Sequence, residues 1–215
     1  TATNAAGVTS TSTRVVTVEA DPTFTGFTVN GSASISVAPS AALTFAGAGF
    51  STGAALQGRN SGNTADAVLP TTASASVGTT TYYAAATRDL NSVSRHSGLR
   101  SVTVSVVANP VISTINSANT VFSNAAFTLD WSGSNITSYS LRGNSASSGV
   151  STTDINLGTA TSRSITPTAP GSYIYTLTAT NAAGVTTTAT KNVVVEADPT
   201  FTSVTANGVV MPTSL

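Results

Sequence analysis

The chain of 215 residues contains no cysteine, and only 7% of its residues are charged. The missing cysteine excludes disulfides, thiolate metal sites and cysteine catalysis. Because the charged fraction is far below the roughly 25% of typical soluble domains, hydroxyl side chains are predicted to cover the surface. The net charge is zero, which indicates no nucleic-acid partner, since such partners need a basic face. No apolar run approaches the roughly 18 residues of a spanning helix, so this segment is predicted to contain no membrane span.

Histidine and acidic residues are also scarce. A catalytic triad needs a histidine placed beside a nucleophile and an acid, and the single histidine, His96, stands in no such relation to a serine or aspartate. A carboxylate pair for glycoside cleavage would have to come from eight scattered acidic residues. We therefore predict that the chain is not an enzyme.

A duplicated stretch organises the chain. Residues 1–31 and residues 178–208 are nearly identical, and Asn4 corresponds to Asn181 at a shift of 177 residues. A repeat of this kind is typical of arrays built from similar units. The chain is expected to begin and end part-way through a repeating unit.

Three proline-containing junctions divide the chain. They read EADP at 19–22, VANP at 107–110 and EADP at 196–199, and their prolines lie 88 and 89 residues apart. Proline stiffens the chain and restricts the residue before it. The spacing predicts a closing hairpin of a preceding domain at 1–19, complete domains at 20–107 and 108–196, and the first strand of a following domain at 197–215.

The residue pattern inside each unit is that of a β-sandwich. Threonine and valine favour pleated strands, and about seven short alternating segments in each unit predict tandem all-β immunoglobulin-like sandwiches. The NAAG sequence at 4–7 predicts a tight turn that leads into a long strand at 8–19. Trp131 is predicted to cap the second core. Its counterpart is Gly47, so Phe45 and Phe50 are expected to fill the first core.

Two segments resemble a known family. FTLDWS at 127–132 and ITSYSL at 136–141 look like the second and third strands of bacterial Ig-like domains. TPTAPGSYIYTLTATNAAG at 166–184 resembles the penultimate-strand signature of PKD-like and related bacterial Ig-like repeats. The first unit departs from this signature, because RDLN at 88–91 replaces the NAAG turn. The resemblance implies a stalk, adhesin or fibre at a cell or virion surface, usually in tandem arrays, and it implies no ligand.

The strongest candidate site is a hairpin between residues 87 and 102, which is four residues longer than its counterpart in the second unit. End loops of such sandwiches often bind ligands. One interpretation is a contact to an anionic glycan, a receptor or a neighbouring subunit, and the other is a solvated hairpin whose charges maintain solubility. The candidate contact residues are Arg88, Arg95, His96 and Arg100. A metal site at His96 is disfavoured, because the chain has no second histidine.

A second candidate is calcium at the two acidic junctions. Glu19 with Asp21, and Glu196 with Asp198, each place two carboxylates at a domain border. Calcium takes six to eight oxygen ligands, so neighbouring loops would have to supply the others. The simpler interpretation is a turn before proline that binds no cofactor.

The favoured function is a structural repeat segment of an extracellular or virion-surface rod, adhesin or fibre, which spaces or displays binding elements. Its expected partners are neighbouring Ig-like domains in the same or an adjacent chain. Two alternatives remain at this point. In the first alternative, the chain is a carbohydrate- or receptor-binding module that uses the 88–100 hairpin. In the second, it is a set of accessory domains of a secreted enzyme. The sequence does not separate an adhesin from a phage fibre.

Overall fold

A computed structural model describes residues 1–199, 203–206 and 209–211. Strands account for 50% of the structure and helices for 2%. The prediction of an all-β chain with tandem immunoglobulin-like sandwiches is therefore confirmed. The helical residues include a short 3-10 turn at Ala146–Ser148, which Ser145 caps.

The strands are numbered in chain order. The first nine are β1 (Ala2–Thr3), β2 (Thr9–Ser10), β3 (Gly26–Val29), β4 (Ser34–Val37), β5 (Phe45–Ala48), β6 (Ala55–Arg59), β7 (Gly78–Leu90), β8 (Val93–His96) and β9 (Arg100–Val106). The others are β10 (Val111–Asn116), β11 (Thr120–Phe122), β12 (Phe127–Ser134), β13 (Ser138–Gly143), β14 (Ile155–Gly158), β15 (Ser162–Ile165), β16 (Gly171–Thr180), β17 (Thr186–Glu196), β18 (Val204–Ala206) and β19 (Val209–Met211).

The chain packs into two compact units. Unit 1 comprises Thr1–Ala33, Phe45–Leu69 and Tyr82–Val102. Unit 2 comprises Ser34–Thr44, Pro70–Thr81 and the described residues from Thr103 onward. The domain boundaries predicted at 19/20, 107/108 and 196/197 stay predictions.

Strands β10 to β17 form what we call the second sandwich. Its sheets have the orders β10-β12-β15 and β11-β17-β16-β13-β14, and β11 runs parallel to β17 while the other pairs are antiparallel. The consecutive strands β10 and β11 belong to different sheets. The two sheets together have the arrangement of an immunoglobulin-like sandwich. The period of two explains the burial along β16, where alternate side chains face the core. These are Tyr173, Tyr175, Leu177 and Ala179.

Aromatic side chains centre the second core. Trp131 is 3% exposed, packs edge to face on Tyr139 at 5.8 Å and donates its indole N–H to the carbonyl of Ala160 at 2.9 Å. The predicted role of Trp131 in this core is therefore confirmed. Tyr173 donates its hydroxyl to the carbonyl of Ala169, four residues upstream and 2.9 Å away. This is the tyrosine corner of immunoglobulin-like domains.

Tyr175 is the largest fully buried side chain among the described residues. Its side chain is fully buried and its hydroxyl donates to the carbonyl of Ser148 at 2.7 Å. Burial, with a smaller contribution from Tyr173, raises the pKa of Tyr175 to about 12, although the bond to Ser148 acts in the opposite direction. Burial also raises the pKa of Tyr139.

Strands β3 to β9 form what we call the first sandwich. Strand β3 pairs with β5, and the larger sheet has the order β4-β9-β7-β6, with β8 also paired to β7. Strand β4 runs parallel to β9, as β11 does to β17. Thr87 and Thr180 align by sequence and have equivalent partners. Thr87 pairs with Ala55, the first residue of β6, and Thr180 pairs with Ser138, the first residue of β13.

Phenylalanines fill the core of unit 1. Phe50 stacks on Phe24 at 5.7 Å, while Phe45 stacks on Phe27 at 5.8 Å and meets Tyr82 edge to face at 5.1 Å. Phe24 and Phe27 are the buried members of these stacks, whereas Phe45 and Phe50, which were predicted to fill the core, are half-buried. The other buried apolar residues of this unit are Val29, Ala84, Ala85, Ala86 and Val102.

The duplicated stretch folds differently at its two positions. The NAAG turn forms in both, because the Asn4 or Asn181 side-chain oxygen accepts two backbone N–H groups. The predicted long strand at 8–19 is wrong: β2 covers only Thr9–Ser10, and residues 11–24 carry no strand. Its counterpart β17 extends over eleven residues because β16 and β11 pair with it on either side.

After residue 196, β18 and β19 form an antiparallel hairpin. The remainder of the strand predicted at 197–215 includes residues 200–202, 207–208 and 212–215, which lie outside the described residues. No helix among the described residues is long and apolar enough to cross a membrane.

Candidate functional site

The charged hairpin is built from β7 and β8, which are joined by a turn at Asn91 and Ser92. Both residues adopt positive φ, at 50° and 63°, as a two-residue hairpin turn requires. Strand pairing sets Arg88 opposite Arg95 and Thr87 opposite His96. All four predicted contact residues lie in unit 1, on this hairpin or at the start of β9.

Arg88 is directed into the structure. Its side chain is 15% exposed, and its guanidinium donates to the carbonyl of Ala20 at 2.6 Å and to that of Thr52 at 3.1 Å. The same guanidinium lies 3.2 Å from the Glu19 carboxylate. Its buried Nε has no partner among the described residues. These contacts join the hairpin to the chain segment that leads into β3.

Arg95 and His96 make weaker contacts. Arg95 lies 3.9 Å from the Asp21 carboxylate, and both side chains are more than half exposed, so solvent screens this pair. The His96 ring nitrogen Nδ1 and the Thr87 hydroxyl lie 2.8 Å apart across the β7–β8 pair.

Arg100 contacts the same chain segment before β3. Its Nε–H donates to the carbonyl of Phe24 at 3.1 Å, and its guanidinium lies 5.6 Å from the centre of the Phe24 ring. This geometry is that of a cation–π contact. An open groove of about 500 Å³ runs between residues 21–24 and residues 96–100.

Residues 19–24, which lead into β3, are therefore the common target of Arg88, Arg95 and Arg100. We call this stretch the first junction segment. It is fastened further by Thr23, whose N–H donates to the Ser51 hydroxyl and whose carbonyl accepts the Ser51 N–H. Pro22 and Phe24 of this segment are buried. The structure thus brings Arg88, Arg95 and Arg100 onto one segment some 70 residues earlier in the chain.

Sequence reasoning did not foresee this target, although a signal was present. Arg88 stands where the second sandwich has Asn181. The residues before them, Thr87 and Thr180, end the equivalent pairings β6–β7 and β13–β16. Asn181 is 4% exposed, and its side-chain amide donates to the carbonyl of Ala108 at 2.8 Å. Ala108 precedes Asn109 and Pro110 as Ala20 precedes Asp21 and Pro22. Equivalent side chains therefore bind equivalent alanine carbonyls.

The carboxylates proposed for calcium have different surroundings at the two acidic junctions. Glu19 faces Arg88 and Asp21 faces Arg95, so a cation there would compete with arginine. Glu196 and Asp198 are exposed. Within the part of the chain that the structure describes, no three acidic, histidine or cysteine side chains group together. The prediction of junctions that bind no cofactor, and the calcium alternative, both stay predictions.

A buried arginine that the sequence did not single out lies elsewhere in unit 1. Arg59 is 6% exposed, forms an ion pair with Asp66 and donates to the side-chain and main-chain oxygens of Asn63. Asn63 in turn donates to the carbonyl of Ser97. With its guanidinium already paired, Arg59 ties the 60–66 loop to the chain between β8 and β9.

No protein-family model matches the sequence, and no curated protein is similar to it. Among solved structures, the chain is similar to the fibronectin(III)-like modules of Clostridium thermocellum CbhA, with 13% identity, 80% of this chain and 95% of that chain covered, and a TM-score of 0.46. For chicken CNTN1 FN1-FN3 domains the values are 12%, 74%, 64% and 0.44. For Sidekick-1 immunoglobulin domains 1-5 they are 11%, 83%, 39% and 0.46. No ligand or partner of this chain follows from these similarities.

Proposed function

We propose that the chain is a structural repeat segment of an extracellular rod, adhesin or fibre at a cell or virion surface, which spaces or displays binding elements. The observation that supports this most is the pair of junction contacts, Arg88 to Ala20 and Asn181 to Ala108. In each case the side chain directly after the aligned threonine, Thr87 or Thr180, binds the segment leading into its own sandwich. Arg88 of the charged hairpin thereby binds the joint, whereas Arg95 on the same hairpin stays exposed.

The proposed mechanism is mechanical. Each sandwich buries its own aromatic core, and a proline stiffens each junction. A hydrogen bond to the carbonyl of the junction alanine further restrains the backbone at the joint. Arrays of such units gain length by adding nearest neighbours, with each joint limiting the bend.

Small-angle X-ray scattering of the full chain tests this proposal. We expect an extended particle with a narrow distribution of distances between the sandwiches. The variant Asn181→Ala should broaden that distribution by freeing residue 108, whereas Arg88→Ala should not, since Arg88 binds a different junction. A compact particle, or a broad distribution already in the unmodified chain, contradicts the rod. Antibody labelling of intact cells or particles that make the protein tests the surface location.

The groove between residues 21–24 and 96–100 supports a second candidate, a carbohydrate- or receptor-binding module. Arg95 is largely exposed at this end of the hairpin, and His96 and Arg100 line the groove. An anionic glycan would suit these side chains. We expect any glycan bound on an array to be lost when Arg95, His96 and Arg100 are replaced by alanine and kept when Lys191 is replaced. Glycan binding that survives the triple replacement discards this site.

A further inference from the structure

The two junction contacts bind the same target through different chemistry. We infer that the residue directly after Thr87 or Thr180 and the residue before the junction alanine form a matched pair, and that this pair determines which kind of sandwich fits after which junction. The pairs are Arg88 with Glu19 and Asn181 with Val107. This inference deepens the proposed rod, because it concerns the order of units along it.

The first pair is matched by charge. Arg88 is mostly buried and has Glu19 at 3.2 Å. A buried cation without an opposite charge is costly, so a valine in place of Glu19 would leave the guanidinium with neutral partners only. Asp21 and Arg95 repeat the same match on the rim of the joint. An arginine-bearing hairpin therefore suits an acidic junction.

The second pair is matched by neutrality. Both bonds to the Asn181 side-chain oxygen come from its own turn, from the N–H groups of Ala183 and Val185. Only the amide N–H is left to reach Ala108, and Val107 requires nothing more. A glutamate at position 107 would place a carboxylate beside a buried amide that cannot neutralise it. Asn109 likewise stands where the first junction has Asp21.

The third junction identifies the partner that this rule predicts. Glu196, Ala197, Asp198 and Pro199 repeat the acidic sequence of the first junction, and all four are exposed. Neither carboxylate forms an ion pair within the described residues. The surface they present fits a basic hairpin with arginine at the position of Arg88. The matching partner is thus a sandwich of the first kind, in the same array or on another copy.

Two double-mutant cycles in the full chain test the pairing. The first combines Glu19→Val with Arg88→Asn, and the second combines Val107→Glu with Asn181→Arg. Circular dichroism follows thermal unfolding of both sandwiches, fluorescence of Trp131, the only tryptophan, follows the second alone, and the first is obtained from the difference. We expect Arg88→Asn and Val107→Glu each to lower the midpoint of their sandwich by about 4–8 °C. Each double variant should recover at least half of the loss predicted by adding its two single variants.

The cycle removes the side effects of a single change. Asn181→Arg also breaks the hydrogen bonds of its turn, but this loss is present in both the single and the double variant and cancels. Glu196→Val with Arg88→Asn is the matched control, because Glu196 has the same sequence surroundings as Glu19 but forms no ion pair within the described residues. This control should be additive. If Arg88→Asn prevents folding, the salt dependence of the unfolding midpoint is measured instead. Added salt should lower the midpoint of the unmodified chain more than that of Glu19→Val.

Additive effects in both cycles, or equal salt dependence of the unmodified chain and Glu19→Val, overturn the matched pair. Scattering separates this result from the rod itself. An extended, stiff particle with additive cycles contradicts the pairing alone, whereas coupled cycles in a compact or loosely jointed particle contradict the rod alone.

Discussion

The ring of Phe50 lies directly across Gly47, with its Cε2 atom 2.9 Å from where a Cβ on that glycine would stand. Gly47 is the sequence counterpart of Trp131. One sandwich thus fills its core with a tryptophan on the strand, and the other leaves a glycine there and covers it with a phenylalanine from the following loop. The two cores reach similar aromatic packing by different routes.

This relationship predicts the effect of a single methyl group. Gly47→Ala should destabilise the first sandwich by about 1–3 kcal/mol, because the Phe50 ring must move out of a close-packed position. Gly98→Ala is the control, since a Cβ at Gly98 meets no atom within 4 Å. Urea unfolding followed by circular dichroism measures both. Equal stability of the two variants would mean that Phe50 moves without cost.

The two copies of the NAAG turn predict different responses to one substitution. Asn181→Ala should cost about 1–3 kcal/mol, because it removes the bond to Ala108 and leaves half-buried backbone groups without their partner. Asn4→Ala should change the unfolding free energy by less than about 0.5 kcal/mol, because Asn4 is exposed and its hairpin is short. Urea unfolding followed by far-UV circular dichroism, which reports strands in all parts of the chain, compares them. Similar losses from both variants would contradict the role of Ala108.

Arg88 and Arg95 face each other across the hairpin and predict opposite outcomes. Arg88→Ala should lower the stability of the first sandwich by about 1–3 kcal/mol through the loss of bonds to Ala20 and Thr52. Arg95→Ala should change it by less than about 0.5 kcal/mol, because its ion pair is exposed. Thermal unfolding of both variants beside the unmodified chain measures the difference. An Arg88→Ala variant as stable as Arg95→Ala would show that the first junction segment holds without it.

Tyr175 predicts a loss of stability at alkaline pH. Its pKa is raised from the usual 10.0 to about 12 in the folded chain, chiefly by burial. The unfolded chain therefore releases the tyrosine proton first as the pH rises. The stabilisation is complete below pH 10 and disappears as the pH rises through about 12, by about 2–3 kcal/mol. Urea midpoints of the second sandwich should fall over this interval, and Tyr175→Phe should flatten the fall. An unchanged slope in that variant would assign the loss to other groups.

Much of the fold was predictable because its causes are local or periodic. The alternation along β16 and the turn residues in NAAG depend on a few neighbouring side chains, and the structure confirms both. The substitution of Gly47 for Trp131 also indicated that another aromatic residue must fill the first core. The strand predicted at 8–19 failed because a strand needs partners on its edges, and a local sequence does not state whether they are present.

The candidate site shows the same division. The sequence by itself determined that charge is concentrated at 88–100, that a turn follows Thr180, and that the junctions repeat. Only the tertiary structure decided where the charges point. Arg88 reaches Ala20 across a sequence separation of 68 residues and Arg100 reaches Phe24 across 76. Such contacts depend on strand pairing that brings distant segments side by side, and composition and local spacing carry no record of it.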